Sequence, residues 1–227
     1  MDDGATPPDP SALAADGTAV EIYRRLPSTS ELEYIAAQLG PNSSVLDLGA
    51  GTGRIADPLV MLGHRVTAVD SSAAMLVHVQ HARKVQASFE DLALAEKFDC
   101  VLLIGSIINY PGTQPRRSVL AAVARHLAPN GQAILNWAPP ALIASRPAGF
   151  IQSLTFGAVT TTLTIHSNTG RITEGEFTLE ADGRRWRQSI TAEKLSADTV
   201  RDELHRAGLV LTTADPETTR WLHAKLA

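Results

Sequence analysis

Apolar residues in the first third of the chain alternate between strand-like runs and helical stretches. A short apolar strand at 45–48 leads into a helix predicted at 52–62, and a second apolar strand follows at 66–69. Gly63 is a natural stop for that helix, because glycine tolerates the left-handed conformation that closes many helices. Strand, helix and strand in this order predict a βαβ unit with parallel strands.

The same alternation continues to the end of the chain. The run at 100–104 is apolar throughout, which is typical of a central parallel strand that is buried on both faces. Further strands are predicted at 85–87, 133–137, 209–213 and 220–225, and helices at 18–26, 30–39, 118–127 and 197–207, with one more that contains Met75, Leu76 and Val79.

A different pattern occupies residues 155–191. Three β-rich segments, at 159–166, 171–179 and 184–191, are separated by turn signals, of which Asp182-Gly183 is the strongest. This pattern predicts an antiparallel β meander inserted after the fifth strand of the sheet.

Composition narrows the class of protein. The 227 residues are 44% hydrophobic and 19% charged with a net charge of −4, which suits a soluble α/β domain and argues against a nucleic-acid partner. No apolar run reaches the roughly 20 residues of a membrane helix, and the first residues lack a signal-peptide pattern, so we expect a cytoplasmic protein. Cys100, the single cysteine, is interpreted as a core thiol, and no metal centre is expected.

The domain organisation follows from these patterns. Residues 1–17 are rich in Asp, Pro, Ala and Gly and are expected to be a disordered tail. Residues 18–227 are expected to form one domain. Its predicted parts are N-terminal helices at 18–40, a core at 41–140, a β insert at about 150–192, and a C-terminal helix and hairpin at 193–227.

The residues that carry chemistry concentrate around the first βαβ unit. Gly49, Gly51 and Gly53 form a loop with almost no side chains, so its backbone N–H groups can approach a ligand closely. Asp70 ends the second strand, where an acid can bind a ribose diol. Asp47 stands two residues before the first glycine, where it would repel a pyrophosphate and would suit a ligand that carries an ammonium group.

At these residues the sequence resembles the class I S-adenosylmethionine-dependent methyltransferases, in which an acid precedes Gly-x-Gly-x-Gly and a second acid ends strand two. The resemblance implies a Rossmann-like α/β sheet, mostly parallel with a reversed last strand, and S-adenosyl-L-methionine as the cofactor. The cofactor-binding residues that it implies are Asp47, Gly49, Ala50, Gly51, Gly53, Asp70, Ser71, Met75, Ser88, Phe89, Glu90 and Gly105.

One segment departs from the family pattern. Where the family commonly has an acid that bonds the adenine amino group, this chain has Ser88, followed by Phe89. Ser88 could still hydrogen-bond the adenine and Phe89 could pack on it, whereas Glu90 could belong to a solvated turn.

The acceptor side is specified by fewer residues. The family places the transferred methyl group at the carboxyl end of strand four, so Asn109 and Tyr110 are the first substrate candidates. Trp137 and Tyr23 are two more. Structural alternatives stay open for three of them, since Asn109 could cap a helix, Trp137 could fill the core and Tyr23 could pack a helix face.

These observations favour a methyltransferase with a small-molecule acceptor, of a kind found in secondary metabolism, acting as a monomer or a homodimer. The Asp/Asn-Pro-Pro-aromatic motif of amino-methylating nucleic-acid enzymes is missing after the fourth strand. A non-catalytic S-adenosylmethionine-binding or scaffolding protein is the alternative that Ser88 leaves open. An NAD-dependent oxidoreductase is disfavoured by Asp47 and by the lack of a Tyr-x-x-x-Lys motif.

Overall fold

This computed structural model describes residues 20–227, so the predicted tail at 1–17 lies outside the described residues. The helices are α1 (Val20–Arg25), α2 (Thr29–Ala36), α3 (Ala56–Met61), α4 (Ala73–Leu76), α5 (Thr113–His126), α6 (Pro140–Ala144) and α7 (Ala197–Arg206). The strands are β1 (Ser44–Leu48), β2 (Arg65–Asp70), β3 (Arg83–Gln86), β4 (Phe98–Leu103), β5 (Leu127–Asn136), β6 (Ile151–Phe156), β7 (Val159–Thr169), β8 (Ile172–Ala181), β9 (Arg184–Glu193), β10 (Leu209–Leu211) and β11 (Trp221–Leu226).

Seven strands form the main sheet, in the order β10-β11-β5-β4-β1-β2-β3. β1 pairs in parallel with β2 and β4, and β3 and β5 extend the sheet in the same sense. β11 runs antiparallel between β5 and β10. This arrangement confirms the predicted Rossmann-like sheet with a reversed last strand.

Side chains alternate along β1 and so divide the core into two layers. Leu46 and Leu48 join the apolar cluster that includes residues of α5 and α7, whereas Val45 joins the cluster that includes residues of α2 and α3. The chain leaves β1 towards β2 and β3 and later returns to the other side of β1 as β4. Ligands bind at such a reversal of strand order, outside the carboxyl ends of the strands.

The predicted insert after β5 is a separate sheet with strand order β6-β7-β8-β9, antiparallel throughout. The sequence predicted three strands, and the structure has four. β6 was missed because Ile151, Leu154 and Phe156 do not alternate with a period of two, and every residue of this edge strand is exposed.

Helix ends were the least accurate predictions. α3 begins only at Ala56, because the preceding residues are turns that include Gly53 at φ 82°. α4 stops at Leu76, so Val79 lies outside it. α5 begins at Thr113, ahead of the predicted 118, because its first turn is polar and carries no apolar periodicity.

Candidate functional site

A cavity of about 280 Å³ opens at the carboxyl ends of β1, β2 and β4. This volume is close to the lower end of the range for small-molecule sites, roughly 300–1,000 Å³. All but one of the residues predicted to bind the cofactor line it, namely Asp47, Gly49, Ala50, Gly51, Asp70, Ser71, Met75, Ser88, Phe89, Glu90 and Gly105. Segments that are distant in sequence are therefore brought to one site.

The loop after β1 is shaped by glycine backbone conformations. Gly49 and Gly51 have φ values of 73° and 56°, which side-chain-bearing residues rarely adopt. A Cβ atom on Gly49 would also lie 2.6 Å from Cδ1 of Ile107. The loop is thus closed against its neighbours on one side while its other side lines the cavity.

Asp70 ties this loop to the end of β2. Its Oδ2 accepts a hydrogen bond from Gly51 N at 2.9 Å, and its Oδ1 accepts one from Ser72 N at 2.9 Å. Ser72 in turn caps α4 by accepting from Met75 N at 3.3 Å. The carboxylate is therefore fixed in orientation at the cavity wall.

Asp47 is the buried acid of the site, with 2% of its surface exposed. Burial raises its pKa to about 7; Arg54 opposes this rise, and Asp70 adds to it. A carboxylate in this condition gains from any cation that enters the cavity, because the cation favours its ionised form.

Gly53 is the one predicted cofactor residue that is not part of the cavity lining, so its contact with the cofactor stays a prediction. Its φ is 82°, and a Cβ atom there would lie 3.0 Å from Oδ2 of Asp57 and 3.1 Å from Cγ2 of Val79. Glycine at this position therefore allows both the turn into α3 and its close packing.

The segment after β3 places Ser88 and Phe89 at the cavity. The Ser88 hydroxyl donates to Oδ2 of Asp91 at 2.8 Å and accepts from Asp91 N at 3.1 Å. A Cβ atom on Gly49 would lie 3.8 Å from Cζ of Phe89. The ring is thus close to the glycine loop, whereas the serine hydroxyl is already used to close a turn.

The four substrate candidates separate into two pairs. Tyr23 and Tyr110 line the cavity. Asn109 is fully buried: its amide donates to the carbonyl oxygens of Ala138 and Glu193 at 3.2 and 3.1 Å, and its Oδ1 accepts from Ala138 N at 2.8 Å. The prediction that Asn109 contacts substrate is therefore wrong, because all its polar groups serve internal contacts.

Trp137 was likewise predicted at the substrate crevice and is instead fully buried in the core. Its Nε1 donates to the carbonyl oxygen of Thr219 at 2.8 Å. The alternative in which Trp137 fills the core is the one that the structure supports.

The sequence around this cavity is similar to that of known methyltransferases. Residues 45–131 match a family model described as a methyltransferase domain. The chain is 31% identical over 161 residues to a cypemycin N-terminal methyltransferase from a Streptomyces species, across 65% of this chain and 64% of that protein. The chain thus spans less than two thirds of that relative's length.

Two solved structures share the architecture. A S-adenosylmethionine-dependent methyltransferase from Clostridium acetobutylicum ATCC 824 superimposes with a TM-score of 0.73 at 16% identity, over 91% of this chain and 94% of that one. The glycopeptide N-methyltransferase MtfA, solved in complex with S-adenosyl-L-methionine, superimposes with a TM-score of 0.61 at 26% identity, over 89% and 96%. The chain is thus similar to methyltransferases in sequence over 45–131, and it shares the fold of these S-adenosylmethionine-dependent methyltransferases.

The cavity fits the chemistry of S-adenosyl-L-methionine. S-adenosylmethionine carries an ammonium group, a ribose diol and an adenine ring. The cavity offers a buried acid in need of a cation at Asp47, an oriented carboxylate at Asp70 and an aromatic ring at Phe89.

Sequence reasoning missed Arg54, which also lines the cavity. Its guanidinium forms an ion pair with Glu31 of α2 and donates to the carbonyl oxygen of Pro27 at 3.1 Å. Arg54 directly follows the last glycine of the motif, and that position was the available signal. Arg54 thereby holds the N-terminal helices against the site.

α1 is held from the other side by the insert. Ile22 packs in an apolar cluster with Leu179 and Ala181 of β8, and Arg25 pairs with Asp182 at 2.7 Å. Gln188 of β9 donates to the Tyr23 hydroxyl at 3.3 Å. Tyr23 thus connects the insert to the cavity wall.

Of the helices within 20–227, each is too short or too polar to cross a bilayer.

Proposed function

We propose that this protein transfers a methyl group from S-adenosyl-L-methionine to a small molecule. The observation that carries the proposal is the presence of two acids with different surroundings, Asp47 and Asp70, in one cavity with the glycine loop. A buried acid with a raised pKa in a cleft is a candidate for ligand binding.

Each group of the cofactor has a residue that would hold it. Asp70 would accept hydrogen bonds from the ribose hydroxyls, and Asp47 would accept from the ammonium group. Phe89 would pack on the adenine. The acid that commonly bonds the adenine is absent, and Ser88 is engaged with Asp91, so ring packing carries more of the recognition here.

The acceptor would approach along the wall formed by Tyr23 and Tyr110. When bound, S-adenosylmethionine supplies an electrophilic methyl group on its sulfur. The protein then has to hold the acceptor atom close and in line, and orientation of this kind supplies a large part of the rate. The modest volume of the cavity and the net charge of −4 support a small molecule over a nucleic acid.

Calorimetric titration with S-adenosylhomocysteine, with NAD as the control, tests cofactor recognition. Micromolar binding of the first and no binding of the second is expected. A screen of amine and hydroxyl acceptors with labelled S-adenosylmethionine then tests transfer. Binding of NAD alone, or of neither compound, would contradict the proposal. Tight cofactor binding without turnover of any acceptor would favour the non-catalytic alternative.

A further inference from the structure

The loop between β4 and α5, residues 105–112, carries two side chains into the cavity, Ile107 and Tyr110. One residue of its backbone is in an unfavourable conformation. Ser106 has a φ of 57°, a left-handed value that is uncommon for a residue with a side chain. Conformations of this kind persist only where the surrounding structure holds them.

Glu193, the last residue of β9 in the insert, provides one part of that support. Its carboxylate forms an ion pair with Arg116 of α5, and both side chains are almost fully buried. Its Oε2 also accepts from the backbone N of Gly112 at 3.2 Å. The backbone carbonyl of Glu193 accepts from the amide of Asn109 at 3.1 Å.

Arg116 provides the other part. Its Nε donates to the carbonyl oxygen of Ile108 at 3.0 Å. One of its terminal nitrogens donates both to the carbonyl oxygen of Tyr110, at 3.4 Å, and to the carboxylate of Glu193. Loop residues 108, 109, 110 and 112 are thus all bound to one buried pair. The pKa of Glu193 reflects these contacts. Burial alone would raise it, but the hydrogen bonds from Arg116 and Gly112 bring it below its ordinary value.

We propose that Arg116 and Glu193 are positioning residues through which the insert sheet holds the acceptor wall of the cavity in place. Neither side chain lines the cavity; they act through the backbone of the loop that presents Ile107 and Tyr110. This inference rests on the proposed function, because it assigns that wall to the acceptor. It gives the insert a role in acceptor binding that does not require it to touch the acceptor.

The chain contains a matched control pair. Arg117, the next residue of α5, forms a two-pronged ion pair with Glu203 of α7 at 2.8 and 2.9 Å. Glu203 is buried to nearly the same degree as Glu193, at 8% against 6% exposed. Arg117 is more exposed than Arg116, at 44% against 3%. Loss of charge at Glu203 therefore disturbs the same helix through a contact with a similarly buried carboxylate that does not reach the loop.

The test compares Glu193→Gln with Glu203→Gln in the full-length protein. Hydrogen exchange followed by mass spectrometry reports the protection of amides in 105–112, and calorimetry reports the affinity for S-adenosylhomocysteine. In Glu193→Gln we expect protection of the loop to fall by about tenfold or more while cofactor affinity stays within about threefold. In Glu203→Gln the loop should keep its protection. Arg116→Lys asks the same question if Glu193→Gln does not fold, since lysine keeps the charge but cannot reach all three partners.

Kinetics then separate positioning from general destabilisation. With an acceptor from the labelled-methyl screen, Glu193→Gln should raise the acceptor KM by about tenfold with kcat within about threefold, and Glu203→Gln should change neither. Unchanged loop protection in Glu193→Gln, or equal loosening in both variants, would overturn the inference. Failure of the wild-type protein to bind S-adenosylhomocysteine would instead contradict the proposed function, which keeps the two failures distinct.

Discussion

Two buried carboxylates, Asp47 at the cavity and Glu193 behind the loop 105–112, have pKa values that are shifted in opposite directions. Their exposed fractions are similar, 2% and 6%. Burial raises the pKa of Asp47 to about 7, because the opposing effect of the Arg54 charge is smaller. Burial would also raise the pKa of Glu193, but Arg116 and the Gly112 N–H lower it below its ordinary value.

The two carboxylates differ in whether the protein itself supplies a cation that pairs with them. Arg116 satisfies Glu193 within the protein, so that region is finished on folding. Arg54 only partly offsets the effect of burial on the pKa of Asp47, so a cation that enters the cavity would favour the ionised form of this acid. A buried acid therefore indicates a ligand site only when no cationic side chain of the protein pairs with it.

Removal of Glu193 should give the largest change. Glu193→Ala leaves Arg116 buried without its partner, and breaking a buried ion pair in this way costs about 3–5 kcal/mol. Urea unfolding of the variant and the wild type at pH 7.5 measures this loss in the free energy of unfolding. A loss below about 1 kcal/mol would show that Arg116 finds another partner and would remove the contrast with Asp47.

Asp47→Asn should act in the opposite direction on stability. The pKa of Asp47 is higher in the folded state, so the folded protein binds more protons between about pH 4 and 7 and loses stability as the pH rises through that window. At pH 8 the variant should therefore be more stable than the wild type, by on the order of 4 kcal/mol, while its affinity for S-adenosylhomocysteine falls.

The pH dependence of binding provides the control for this variant. A ligand ammonium favours ionised Asp47, so the affinity of the wild type should increase from pH 6 to pH 8, and that of Asp47→Asn should stay level. A wild-type affinity that does not change over this range would contradict the assignment of Asp47 to the ammonium group.

The two sides also differ in how far the sequence could predict them. The cofactor side depends on residues at fixed spacing within a βαβ unit, so Asp47, Gly51 and Asp70 could be placed from a motif. The proposed acceptor side depends on Asn109, Arg116 and Glu193, which meet only after the insert folds back on α5. No local pattern encodes that meeting, and a polar residue at a strand end, such as Asn109, looks the same whether it faces a ligand or a buried carbonyl.

Asp70→Ala should have an intermediate effect on binding, and it also removes the carboxylate that holds the N–H groups of Gly51 and Ser72. Hydrogen bonds to a charged group are worth roughly 1.5–3 kcal/mol each, so the affinity for S-adenosylhomocysteine should fall by about tenfold to a hundredfold. Asp99→Asn is a suitable control, because Asp99 binds Ser44 N at 2.8 Å at the other end of the sheet. Equal affinity in Asp70→Ala and the wild type would refute the ribose assignment.

The smallest expected effect concerns His126, a buried group that belongs to neither side of the site. Its Nε2 accepts from Leu94 N at 3.1 Å and its Nδ1 lies 2.8 Å from the carbonyl oxygen of Ala122, so the ring is neutral with the proton on Nδ1. Burial lowers its pKa, although the bond to Ala122 opposes this. The unfolded chain therefore binds the proton more readily, and stability is lost as the pH falls below about 6.5.

This trend runs against that of Asp47, so the two partly cancel in the wild type. In Asp47→Asn the opposing trend is removed, so the trend of the buried histidines remains, namely His126 and His223, whose pKa values burial lowers. Urea midpoints should therefore fall from pH 7 to pH 5.5 more steeply than in the wild type. The same slope in both proteins would mean that Asp47 does not titrate near neutrality in the folded state. Asp47 and Glu193 would then differ in their hydrogen-bond partners but not in the direction of their pKa shifts.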